Sequence, residues 1–323
     1  MSTISIPMEW QTAFQYATLT ITCIGTIANI LVITGIYRSR NVRGTADFSL
    51  NINLALADLI TCISWISTQA YLLTGNQLQK NSTFCSTSGF YLYFLLACSI
   101  FTLIAIALFH FRSIVWEKGL SKPLHVIIVI CLIWIISIFG SLYAGGLLPA
   151  IHTEFVVQPS GLYCLCNFTS KNGFVQFFNY GIVGVLYGTP ILLGLVYYSI
   201  WKKLHQHRIF VNSNRMSLSS KRPKTVNVNV MIIRRAMAVS LGFAVVFYFQ
   251  STMILYQVIT STEIAWYFDA IGACLASLNT VINPTLFLTL DIRCRKALYV
   301  MFGFIVDDEL TSNEYSSRSN STK

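Results

Sequence analysis

The sequence predicts an all-α integral membrane protein, a seven-transmembrane helix bundle with an amphipathic eighth helix. Three observations carry that expectation. Hydrophobic residues make up 54% of the 323 residues and charged residues only 11%, less than half the ~25% usual in soluble proteins. The mean hydropathy is +0.62. The few charges are also confined, leaving seven charge-free runs, each long enough for the ~20 residues that a helix needs to cross ~30 Å of hydrocarbon.

The first run extends from Trp10 to Tyr37 and the second from Leu59 to Gln79. The third covers Asn81 to Phe111, the fourth Pro123 to Thr153 and the fifth Asn172 to Trp201. The sixth covers Ala236 to Thr262 and the seventh Ala270 to Leu290. Hydrocarbon offers the backbone no outside partner, so each run is expected to be helical. With no basic segment or cleavage site before it, span 1 is expected to act as its own uncleaved signal. After span 7, Asp291 to Phe304 reads as an amphipathic helix. Its Arg293, Arg295 and Lys296 alternate with Ile292, Leu298, Val300, Met301 and Phe302, which suits a helix on the membrane surface. The expected organisation is a short extracellular segment over 1–11, a helical domain over 12–304 and a disordered cytosolic tail over 305–323.

Basic residues set the orientation, because they stay on the cytosolic side. Arg38, Arg40 and Arg43 follow span 1, and Arg112, Lys118 and Lys122 follow span 3. The segment from Lys202 to Arg235 holds most of the rest, and it reads as a flexible loop with Ser217, Ser219 and Ser220 beside Lys221-Arg222-Pro223-Lys224. Of the 22 basic residues only Lys80 and Lys171 fall on the opposite side. The net charge of +10 therefore belongs to a cytosolic face that can meet membrane lipids or an acidic partner, not to a nucleic-acid-binding surface. The N-terminus is expected outside and the C-terminus inside. Two glycosylation sequons, at Asn81 and Asn167, fall on the expected outer loops. So do Cys85, Cys164 and Cys166, on the side where a disulfide persists.

Inside the spans the polar residues carry the functional argument. Asp58 is the only carboxylate deep within a predicted span, since Asp47 and Asp269 sit near ends. An ionisable group there is costly and marks function unless neighbours satisfy it. Asn29, Ser99, Asn279 and Asn283 lie within other spans. Their oxygens suit water or a small hard cation such as sodium. A hydrogen-bonded seam that only joins helices accounts for the same residues, and composition alone favours that plainer reading.

In order and spacing these residues resemble the rhodopsin-like (class A) G-protein-coupled receptors. The resemblance rests on Asn29, on Leu54-Ala55-Leu56-Ala57-Asp58, and on Cys85 opening span 3. It also rests on Trp134, on Pro190 with Tyr198, and on Asn283-Pro284-Thr285-Leu286-Phe287. Asp291-Ile292-Arg293-Cys294-Arg295-Lys296-Ala297-Leu298 is similar to the family's eighth helix. It implies that Asp58, Ser99, Asn279 and Asn283 occupy the sodium-site positions. It also implies that Cys85 bridges to Cys166 or Cys164, between which the sequence does not choose.

Departures fall on the family's activation switch. Phe109-His110-Phe111 stands where the family carries Asp-Arg-Tyr. His110 takes the arginine's position. Arg112, two residues on, points roughly 200° away and reads as a loop cation. Phe247 and Phe249 replace the tryptophan and proline of span 6, so that helix is expected to be straighter. Phe287 replaces a tyrosine in span 7. By the resemblance, His110, Arg112, Tyr198 and Phe287 are the residues expected at the G-protein-coupling end.

Ligand classes narrow by exclusion. Ser277 stands where an opsin carries its Schiff-base lysine, so no retinal is expected. Leu92 stands where amine receptors carry an aspartate. The resemblance implies an outer cavity lined by Leu92, Tyr93, Leu96, Phe247, Gln250, Ser251, Ile254, Asp269, Ala273 and Ser277. Such a lining fits an uncharged, lipid-like or peptide ligand, although aromatic residues at these spacings also serve plain helix packing.

The expected function is a plasma-membrane receptor that couples an extracellular ligand to a heterotrimeric G protein. Arrestin and receptor kinases join the expected partners, with Ser312, Ser316, Ser317 and Ser319 as modification sites. A receptor-fold scaffold, scavenger or dimerisation partner that does not couple is the alternative, favoured by Phe109-His110-Phe111. Neither an internal repeat nor paired broken helices suggests a transporter. His and Cys never cluster at catalytic spacing, so an enzyme is not expected.

Overall fold

The computed structural model describes residues 8–38, 46–79, 82–117, 123–145, 154–215 and 224–303. Eight helices and one small hairpin follow in the order α1 (Met8–Arg38), α2 (Ala46–Leu73), α3 (Thr83–Ile114), α4 (Pro123–Ala144), β1 (Phe155–Val157), β2 (Cys164–Cys166), α5 (Gly173–Arg215), α6 (Lys224–Thr260), α7 (Trp266–Leu290) and α8 (Ile292–Met301). Seven of them are long and apolar enough to cross a membrane. Asn81, one of the two sequons, and the serines at 217, 219, 220, 312, 316, 317 and 319 lie outside the described residues.

The bundle is apolar on its outside as well as its inside, as lipid demands. Ile127, Leu132, Ile135 and Phe139 of α4 all face outward. In the most apolar stretch of each helix, 61% of α3 is buried but only 22% of α4. So α3 runs through the centre and α4 lies at the rim. Small residues set the closest approaches: a Cβ added at Gly25 of α1 would come within 2.8 Å of Thr280 Oγ1 in α7 and 2.9 Å of Cys62 Sγ in α2.

Six of the seven spanning helices outrun their charge-free runs, among them α2, which starts at Ala46 and not at Leu59. α3 continues through Arg112 to Ile114, so Arg112 is an exposed residue of its last turn and not a loop cation. α5 and α6 carry their helical backbone through much of the basic segment, leaving only residues 216–223 outside the description. Charge ends a membrane span but not a helix, because Lys and Arg are good helix formers in water. α6 runs unbroken from Lys224 to Thr260 without an internal proline. α8 begins as expected, with the Asp291 carboxylate accepting the Cys294 amide at 3.1 Å as its cap.

The hairpin is the element that composition did not reveal. Its strands pair antiparallel, Phe155 opposite Cys166 and Val157 opposite Cys164, around a turn in which Gly161 takes φ +66°. The Phe155 ring wedges between Gly89 of α3 and Gly145 after α4, where a Cβ at Gly89 would lie 2.8 Å from the ring.

Candidate functional site

Two connected features make up the site, a buried polar seam at mid-depth and a cavity above it. In the seam the Asp58 carboxylate of α2 accepts Ser99 Oγ of α3 at 2.8 Å and Asn283 Nδ2 of α7 at 3.0 Å. Asp58 is 1% exposed. Three helices are therefore joined through one side chain. The oxygens Asn279 Oδ1 and Asn283 Oδ1 are buried without a hydrogen-bond partner among the described residues. Asn29 donates to Gly25 O at 2.9 Å and to Thr280 O at 3.0 Å, tying α1 to α7.

A second knot lies beside it. Asn53 of α2 donates to Thr102 Oγ1 of α3 at 2.8 Å and accepts Trp134 Nε1 of α4 at 2.7 Å. The sequence singles out Trp134 but gives no sign that its partner is Asn53. They lie 81 positions apart, and only the helix packing brings them together.

The cavity holds about 370 Å³ and reaches from the hairpin down to Asp58, Ser99 and Asn279. Seven of the ten expected lining residues border it: Leu92, Tyr93, Leu96, Phe247, Gln250, Ile254 and Ala273. Phe247 is fully buried and stacks on Phe243 at 4.2 Å.

Ser251, Asp269 and Ser277 do not line it. Ser251 donates to Phe247 O and Ser277 to Cys274 O, each one turn back in its own helix. A serine that bonds its own backbone offers a ligand little. Asp269 is held by the hairpin, accepting Tyr163 Oη at 2.6 Å and the Ser160 amide at 2.9 Å. Burial and the neighbouring carboxylate push the Tyr163 phenol well above the ordinary tyrosine range, so it remains a donor.

The hairpin roofs the cavity with Tyr163, Leu165 and Phe168. A disulfide ties it to α3, and the partner of Cys85 is Cys164. Cys166 is a buried free thiol whose pKa burial raises. Gln69 of α2 donates to Leu162 O at 3.2 Å, and Asn179 of α5 to Asn167 O at 3.0 Å. Asn167 itself is half-buried, and its Oδ1 accepts the Thr169 hydroxyl at 3.1 Å.

The fold and these ties frame a comparison with known proteins. The model of the 7 transmembrane receptor (rhodopsin family) matches residues 28–287. The chain belongs to the rhodopsin family of receptors. Galanin receptor 2a of Danio rerio is 27% identical over 121 residues, which are 36% of this chain and 33% of that receptor. The match therefore spans about a third of that relative's length. Apelin receptor A of Xenopus laevis is 24% identical over 293 residues, 87% of this chain and 78% of that receptor. Among solved structures, squid rhodopsin superposes with a TM-score of 0.79 at 14% identity, covering 96% of this chain and 92% of that one. That likeness concerns the fold.

Membership of the rhodopsin family and seven spans make the chain a multi-pass protein of the plasma membrane. At the end of the receptor away from the hairpin, His110 is half-buried in α3 and Arg112 exposed. Tyr198 is 60% exposed and stacks on Trp201, while its neighbour Tyr197 packs inward with Ala107, Leu193 and Ile200. Phe287 is buried with Val32, Ile36, Ala55 and Leu298, at the junction of α1, α2, α7 and α8.

Proposed function

We propose that this rhodopsin-family receptor transduces an uncharged, lipid-like or peptide ligand from outside the cell to a heterotrimeric G protein. The hairpin end then faces outward, as the distribution of basic residues requires. One observation supports the reading above all: the cavity floor is the polar seam itself, with Asp58, Ser99 and Asn279 in its lining. A ligand in the cavity acts on the hydrogen bonds that hold α2, α3 and α7 together. A ligand that prefers one helix arrangement shifts the population toward it.

The seam also fits a sodium ion. Asp58 and Ser99 contribute oxygens beside the Asn283 amide that donates to the carboxylate, and Asn279 Oδ1 and Asn283 Oδ1 have no partner among the described residues. Such a donor set suits a hard cation, which would supply positive charge beside the carboxylate.

The test measures ligand-driven and basal recruitment of G-protein families and arrestin in cells that express the wild type. A parallel chain carries Phe109→Asp, His110→Arg and Phe111→Tyr. A wild type that signals upholds the reading. A silent wild type beside a signalling repaired chain overturns it in favour of a scaffold that does not couple.

A further inference from the structure

The cavity is not enclosed on all sides. α3 packs along both α4 and α5, but α4 and α5 form no packed interface with each other among the described residues. They meet near the hairpin, where the Tyr143 ring lies 4.4 Å from that of Phe178. Beside and below that contact the cavity reaches the perimeter of the bundle. Ile136 of α4 and Phe177 of α5 both line it, yet are 55% and 76% exposed on the face that meets lipid. Gly181 and Val185, one and two turns further along α5, also combine lining with exposure.

From the water side the same cavity lies under the hairpin, which is tied to α2, α3, α5 and α7. One polar group waits inside the lateral gap. Ser137 lines the cavity and is 1% exposed, and its Oγ has no hydrogen-bond partner among the described residues. A buried hydroxyl in that state has given up water without gaining a partner, so it marks a place for a polar ligand atom. Among the described residues the lining contains no Lys, Arg or His, which leaves an anionic headgroup without a counter-ion there. Its one carboxylate, Asp58, already accepts two hydrogen bonds, which disfavours a cationic head.

The geometry points to a lateral portal between α4 and α5 through which an uncharged single-chain lipid with a hydroxyl or amide head passes from the bilayer into the cavity, its head hydrogen-bonding Ser137. This rests on the reading above that the cavity takes a lipid-like ligand, and it adds the route and the anchoring residue. The lipid comes from the leaflet on the hairpin side, since Ile136, Phe177 and Gly181 all lie in that half of their helices.

The test places the full-length receptor in phospholipid nanodiscs with a monoacylglycerol bearing a diazirine and an alkyne, and maps adducts by mass spectrometry after brief exposures. Gly181→Trp closes the portal and is accommodated, because nothing lies within 4 Å of a Cβ built there. Gly194→Trp is the matched control, equally open but away from the cavity.

Adducts on Leu96 and Phe101 are expected in the wild type and in Gly194→Trp. Gly181→Trp should lower their initial rate about tenfold or more, a barrier change on the order of 1.4 kcal/mol. Ser137→Ala should lower the equilibrium occupancy several-fold without changing expression. Cavity labelling that persists at the wild-type rate in Gly181→Trp overturns the portal and leaves the lipid reading standing. An unchanged occupancy in Ser137→Ala removes the anchor. A wild type labelled only on its perimeter sinks the lipid reading, and the portal with it.

Discussion

Tyr163 of the hairpin donates its hydroxyl to the Asp269 carboxylate of α7 at 2.6 Å, and the Ser160 amide approaches the same carboxylate at 2.9 Å. The roof of the cavity is thereby fastened to the first turn of the last span. Tyr163→Phe is expected to lower stability by ~1.5–3 kcal/mol, the range for a hydrogen bond to a charged group. Hydrogen exchange over residues 155–166 should quicken in parallel. The raised phenol pKa fixes the sign of the pH dependence. Stability from this bond is fully present below the ordinary tyrosine value of ~10 and is lost only as pH rises through the higher folded value. A hairpin protection factor, corrected for the intrinsic rise of exchange with pH, that already falls between neutral pH and that value in the wild type and not in Tyr163→Phe would contradict the assignment.

The two hairpin cysteines should behave differently. Cys164→Ser opens a bridge between residues 79 positions apart, and losing such a cross-link costs ~2–5 kcal/mol. Surface expression is expected to collapse. Cys166→Ser replaces a buried thiol outside the bridge and should retain the Cys85 disulfide in non-reducing peptide maps. Equal losses from both substitutions would mean that the bridge is shared.

Sodium dependence tests the seam. At constant ionic strength, exchanging potassium for sodium should raise the melting temperature of the wild type, because a ion bound only by the folded state stabilises it by mass action. Asp58→Asn keeps the shape of the side chain and removes its charge, so the sodium effect should vanish. A melting curve indifferent to the cation in the wild type would remove the ion from the proposal.

Trp134→Phe deletes the Nε1–H that Asn53 accepts at 2.7 Å while keeping an aromatic ring. Interhelical hydrogen bonds in membranes are worth ~0.6–2 kcal/mol, and a loss of that size is expected in thermal denaturation. In an Asn53→Ala background, which already lacks that bond and the one to Thr102, Trp134→Phe should cost little more.

The helices and the seam were legible in the sequence, because charge is so costly in hydrocarbon that Arg38, Lys80, Arg112 and Lys202 bracket the spans. Asp58, Ser99 and Asn283 were legible for the same reason, since a buried carboxylate needs partners. Other features depend on tertiary placement. Cys164 and Cys166 are two residues apart on one short strand, so spacing cannot rank them. Asp269 was expected in the cavity wall, but the hairpin that claims it folds back from more than 100 positions earlier. Ser251 and Ser277 point to the backbone of their own helices, which helical position alone does not reveal. The gap beside Gly181 was invisible because it arises where two helices that meet at Tyr143 and Phe178 do not go on packing against each other.

α5 contains 43 residues and α6 contains 37. At ~1.5 Å per residue each is far longer than the ~30 Å hydrocarbon layer, and the surplus lies at the end opposite the hairpin. By length alone, these two rods are geometrically long-armed levers. In such a shape a small tilt near the hairpin end would be magnified into a larger sweep at the far tips.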